Sequence, residues 1–154
     1  MRRIHALALA AGLLALGGAA TADEKADKQA LKELEGTYVL VALEGKGLKL
    51  GEDDFQKVPE ADRKIVIKGD QISSTFGGKE DKGTLKLDPA QKPAHLDIAV
   101  VRDGKTEVNY GIYKIEKDVL TLCAIERGEA KDRPKEFKVD GKEILMTLKK
   151  QDKK

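Results

Sequence analysis

Three kinds of side chain in this sequence could do chemistry: one cysteine, two histidines, and the carboxylates among 27 acidic residues. Cys123 as a nucleophile would need an imidazole base within reach. Beyond residue 22 the one histidine is His95. Cys123 lies in the apolar run Val119–Ile125, where a thiol more often serves as a small buried hydrophobe than as a nucleophile. His95 falls on the strand face opposite Leu96 and Ile98, so alternation turns it towards solvent. A zinc site needs three or four convergent ligands, and this pair supplies two. Glu52-Asp53-Asp54 lacks the alternate spacing of a calcium loop and reads as the start of a helical turn. None of the carboxylates stands in an apolar run that would raise its pKa. Gly77-Gly78 lacks the strand–loop–helix setting of a phosphate loop and reads as a hairpin. No catalytic residue, metal or other cofactor is expected, and the protein reads as a non-enzyme.

The first 22 residues carry an address. Arg2 and Arg3 precede the apolar stretch Ile4–Leu16, Gly17-Gly18 breaks it, and Ala20-Thr21-Ala22 ends in small residues before Asp23. This order of charge, apolar run and small exit is that of a secretory signal peptide cleaved after Ala22. The run is shorter than the roughly 20 residues a membrane-spanning helix needs, so no stable span is expected after cleavage. The expected location is extracytoplasmic, periplasmic or secreted. Arg2 and Arg3 are two of the 29 basic residues, so beyond residue 22 basic and acidic side chains balance. A nucleic-acid binder needs a basic stripe to release counterions, and this balance argues against one. One cysteine gives no internal disulfide framework. The length suits one domain with its own core.

These residues must be held by a string of short elements. Residues 23–35 read as a helix with acids at its start and Gly36 at its end; only Ala30, Leu31 and Leu34 give it an apolar edge. The period then changes to two. Strands are expected at Thr37–Leu43, Lys64–Lys68, Gln71–Phe76, Lys82–Leu87, His95–Val101, Lys105–Ile115, Val119–Ile125, Glu136–Val139 and Glu143–Lys150. A loop covers Glu44–Arg63, with a helical turn near Glu52–Lys57. Turns at Gly69-Asp70, Gly77-Gly78, Asp103-Gly104 and Asp140-Gly141 suit tight hairpins, because such turns need positive φ. Neighbouring strands therefore pair antiparallel. Their apolar positions share one face that a single flat sheet could not leave in water. An all-β, antiparallel up-and-down barrel of 8–10 strands with a short N-terminal helix follows, its domain spanning residues 36–150. Lumen candidates for ligand contact are Tyr38, Phe76, Leu85, Ile98, Tyr113, Leu122 and Met146.

Two stretches carry a resemblance. Leu34-Glu-Gly-Thr-Tyr-Val39 is similar to an opening L-x-G-T-W. Gly111-Ile-Tyr-Lys-Ile-Glu-Lys-Asp-Val-Leu-Thr-Leu-Cys123, with Arg133-Pro134 and Phe137, is similar to G-I-Y…D-x-L-x-L-C…R-P-x-x-F. Gly83–Pro89 and Lys92-Pro93 fit between them. Over about residues 31–150 the chain resembles an uncharacterised family of secreted bacterial domains, abundant in Planctomycetes and described as lipocalin-like. The family implies a lipocalin-like barrel and no activity. Tyr38 replaces its usual Trp. In lipocalins proper that aromatic plugs the barrel base against a basic side chain, which implies a structural pair of Tyr38 with Arg133 by cation–π contact.

Two functions follow from the barrel. Its cavity holds a small apolar ligand, as such barrels often do. Alternatively, about eight strands are just filled by their own side chains, and the outside binds a protein or envelope partner.

Overall fold

The computed structural model describes residues 22–152; all but the last residue of the expected export segment, 1–22, lies outside them. The first element is helix α1, Ala22–Leu34. Strand β1, Gly36–Gly45, follows directly and turns into the short strand β2, Leu48–Leu50. A connection containing helix α2, Glu52–Phe55, leads to β3, Arg63–Lys68, and then β4, Gln71–Phe76. Next come β5, Lys79–Asp88, β6, Ala94–Arg102, β7, Lys105–Glu116, β8, Val119–Ile125, and β9, Glu143–Lys150.

Every pairing is antiparallel, and from β3 to β9 each strand binds its neighbours in sequence. Pairing of β1 with β9 closes an eight-stranded barrel. Closure leaves no long unpaired edge. The expected turns at Gly69-Asp70, Gly77-Gly78 and Asp103-Gly104 join the strands foreseen. Both residues have positive φ at Gly77-Gly78 and at Asp103-Gly104.

Two expectations are corrected. Residues 136–139 form no strand; they belong to an irregular segment, 126–142, laid over the outside of the barrel. Conversely, the expected loop after Leu43 contains β2, joined to β1 by a tight turn at Lys46-Gly47, where both φ values are positive. This turn matches the two-residue hairpin requirement, but the strand after it has only three residues.

β2 and β3 share one edge of β1: Gly45 faces Leu48 at one end, and Gly36 faces Ile67 at the other. Between them the backbone of β1 would go unpaired. Arg63 fills that place, donating from Nη1 to the Leu40 carbonyl at 2.9 Å and from Nε to the Val58 carbonyl at 3.1 Å. Phe55, from α2, is buried with the core there. On the other edge the β1–β9 register shifts between Leu40 and Ala42, a one-residue bulge that lets both Leu40 and Leu43 reach the core.

The inward set Leu40, Ile65, Ile67, Leu85, Leu87, Leu96, Leu120, Leu122 and Leu148 forms the core with α1 across one end. Leu34 of α1 is completely buried. The Tyr38 hydroxyl donates to the Leu34 carbonyl at 2.8 Å, and the Glu35 carboxylate accepts from the Gly69 amide at 2.9 Å. Few apolar residues sufficed to make this helix a plug, because the barrel supplies the rest of the core.

Candidate functional site

The end of the barrel away from α1 is open. There the packed interior gives way to a cavity of about 210 Å³. Ile65, Ile72, Ile98, Val100, Leu122 and Met146 form its aliphatic wall, and Ser74 and Asn109 line it too. Gly83 completes the wall by close packing: an added Cβ would lie 2.7 Å from the Ala99 carbonyl oxygen. Only glycine lets β5 approach β6 so closely there.

Charged residues ring the mouth, mostly in pairs. Arg102 lies 3.6 Å from Asp81 and 3.7 Å from Glu107. Glu107 also faces Arg127, and Lys46 contacts Glu126. Such exposed pairs add little stability each, but they leave the rim nearly neutral. The exposed large apolar residues of the described chain, Leu48, Phe76 and Val101, all sit at strand ends on this side.

Of the lumen candidates, Phe76, Ile98, Leu122 and Met146 line the cavity. Tyr38, Leu85 and Tyr113 lie in the filled part of the barrel. Phe76 stands at the mouth, 41% exposed, rather than in the interior. Ser74 and Asn109 were missed. Their signal was the period of two itself: Ser74 falls between Ile72 and Phe76, and Asn109 faces inward Ile98 across the β6–β7 ladder.

The expected pairing of Tyr38 with Arg133 is not formed. Tyr38 is enclosed at the helix end of the barrel, with Lys150 Nζ 5.7 Å from its ring centre. Arg133 is on the outside, over the ring of Tyr110 at 5.4 Å. Lysine on the last strand reaches the aromatic simply because β9 pairs with β1, placing Lys150 opposite Tyr38.

Arg133 instead pins segment 126–142 to the barrel wall. Nη1 donates to the carbonyls of Gly111 at 2.7 Å and Leu96 at 3.1 Å. Nη2 lies 2.7 Å from Asp97 Oδ1, a close ion pair off hydrogen-bond geometry. Pro134 is buried, and Lys114 lies over the Phe137 ring. The spacing Arg133-Pro134-x-x-Phe137 thus fastens a strap. Beneath it Ile112 and Cys123 are completely buried on the outer face of β7–β8. His95 is half-buried on that outer face; burial and nearby Arg133 lower its pKa, against an opposing pull from Asp88 and Asp97.

The Cys123 thiol donates to the Lys138 carbonyl at 3.6 Å, and burial pushes its pKa to about 11. This makes it inert as a nucleophile at neutral pH. An unfolded thiol titrates near 9.0, so the native state keeps a proton that the unfolded chain releases. The resulting stability is fully present below pH 9 and is lost as pH rises through 11. From pH 7.5 to 10.5, wild type should lose about 2 kcal/mol more unfolding free energy than Cys123→Ala. Urea titrations under reducing conditions measure the difference; equal losses in the two proteins contradict a protected thiol.

Among the described residues no group of three or more His, Cys, Asp or Glu could hold a metal ion. No helix among them is long and apolar enough to cross a membrane. The fold and site define a closed antiparallel β-barrel, plugged by a helix at one end and hollow at the other. Compared with family models, curated proteins and solved structures, the chain gives no match.

Proposed function

We propose that this protein is an exported, non-enzymatic binding module that takes a small, mainly apolar molecule into the open end of its barrel. The cavity of about 210 Å³ between aliphatic walls carries this reading. A barrel shaped only for stability would gain by filling that space, since each lost packing contact weakens the fold. Export rests on the basic, apolar and small-residue order within residues 1–22. The likeness of the Gly111–Cys123 and Arg133–Phe137 stretches to secreted lipocalin-like domains supports the same reading.

Protein purified from its own host should carry a small organic molecule, seen as added mass in native mass spectrometry. With 4-ethylphenol at ten times its Kd, the unfolding free energy should rise by about 1.4 kcal/mol, a Tm increase of about 4–6 °C. Ile98→Phe, which fills the cavity, should abolish the shift. No added mass and no shift with wild type would overturn the reading. In that case the exposed Leu48, Phe76 and Val101 would favour the second reading, a mouth that docks on a protein or envelope component.

A further inference from the structure

Resting on the cavity-binding reading above, we infer that the ligand is an uncharged amphiphile: an apolar body of about eight heavy atoms bearing one hydrogen-bonding group that Ser74 and Asn109 recognise. Three features of the cavity point this way.

The first is an imbalance of polarity. Ser74 on β4 and Asn109 on β7 stand on inward positions and are the uncharged polar side chains of a lining that also holds Ile65, Ile98, Leu122 and Met146. Among the described residues neither side chain makes a hydrogen bond within the protein. A serine hydroxyl both donates and accepts, and an asparagine amide offers two donors and a carbonyl acceptor. A wholly apolar guest would strip water from these groups and leave them unpaired, which costs free energy. A guest with a hydroxyl, carbonyl or amide replaces the lost bonds. Aliphatic residues at both positions would have favoured a hydrocarbon instead.

The second is charge. Each of the four charged side chains that line the cavity has an opposite charge beside it: Arg102 with Asp81, Lys82 with Glu80, and Glu126 with Lys46. An incoming carboxylate or ammonium finds no unmatched counter-ion among these four, yet it must shed its hydration to reach the aliphatic wall. The rim therefore selects against charged amphiphiles such as fatty acids.

The third is size. A cavity of about 150 Å³ lined by aliphatic residues holds benzene, so about 210 Å³ scales to about eight heavy atoms. A single ring with a short substituent or a medium-length chain alcohol fits within it. Met146 gives that wall an adaptable surface for either shape.

Calorimetric titration of the barrel protein with 4-ethylphenol, 4-ethyltoluene and 4-ethylbenzoate tests the inference. Ser74→Ala and Asn109→Ala, each checked for wild-type circular dichroism, should weaken 4-ethylphenol binding about three- to tenfold per lost hydrogen bond. The same variants should bind 4-ethyltoluene as wild type does or more tightly. Wild type should bind 4-ethylbenzoate at least tenfold more weakly than 4-ethylphenol. Unchanged phenol affinity in both variants, or a carboxylate that binds as well as the phenol, overturns the inference while leaving a binding cavity intact. If wild type binds none of the three, this inference falls, and with no added mass from the host as well the cavity reading falls too.

Discussion

Arg133→Met should destabilise the protein by about 2–4 kcal/mol and make Cys123 reactive towards thiol reagents in the native state. The arginine side chain is 13% exposed, and its guanidinium serves two backbone carbonyls, one carboxylate and one aromatic ring. Methionine keeps much of the volume but removes every charged contact. Removing one member of a buried ion pair costs roughly 3–5 kcal/mol. Asp97 retains a quarter of its exposure, so solvent recovers part of that loss. The two carbonyls lose their side-chain donor, each a further modest cost. Arg133→Lys should fall between the two, because an ammonium keeps the charge but lacks the planar fork. Urea denaturation with an unchanged m-value measures the first effect; the rate of native thiol labelling measures the second. A stable variant whose thiol stays protected would show that segment 126–142 holds without its pin.

Leu34→Ala should cost about 2–5 kcal/mol, the range for truncating a fully buried leucine. Its side chain has no exposure and joins the interior at the helix end of the barrel. Only Ala30 and the edge of Leu31 would remain to hold α1 there, and the rest of the helix is largely exposed. The Tyr38 hydroxyl bond to the residue 34 carbonyl becomes the main tether. Hydrogen exchange across 22–34 should accelerate ahead of the barrel strands, as expected when one segment opens by itself. A loss below 1 kcal/mol with unchanged exchange would mean that the helix is an ornament rather than a plug.

The barrel was legible because alternation is a local property. Ile65 and Ile67, Leu85 and Leu87, and Leu120 and Leu122 each mark an inward face within a few residues, and glycine-containing turns set the order of the strands. The tie between Tyr38 and Arg133 was not legible, because it depended on which end of the barrel a loop residue would reach. Arg133 lies in segment 126–142, where no period exists, and its partners Leu96, Asp97, Tyr110 and Gly111 come from two other strands. Glu136–Val139 was expected as a strand before the Asp140-Gly141 turn, but Phe137 lies beneath Lys114 of β7 rather than beside a sheet neighbour. For the cavity, apolar positions located Phe76, Ile98, Leu122 and Met146. Ser74 and Asn109 were passed over, because polar residues at inward positions look like interruptions of a core until a space is seen beside them.

The pairing of β1 with β9 has a bearing on how the chain reaches this state. Residues 36–45 and 143–150 lie about a hundred positions apart, yet their ladder is what converts a curled ribbon into a closed wall. Contacts that distant slow folding, since a long loop must close before they reward it. Until β9 arrives, β1 and β8 each present an open ladder to any passing strand. The hairpins from β3 to β8 can assemble early and locally, but the hollow end acquires its full wall only when Met146 slots in beside Leu122. Completion of the cavity wall is thus tied to the pairing of β9 with β1 and β8.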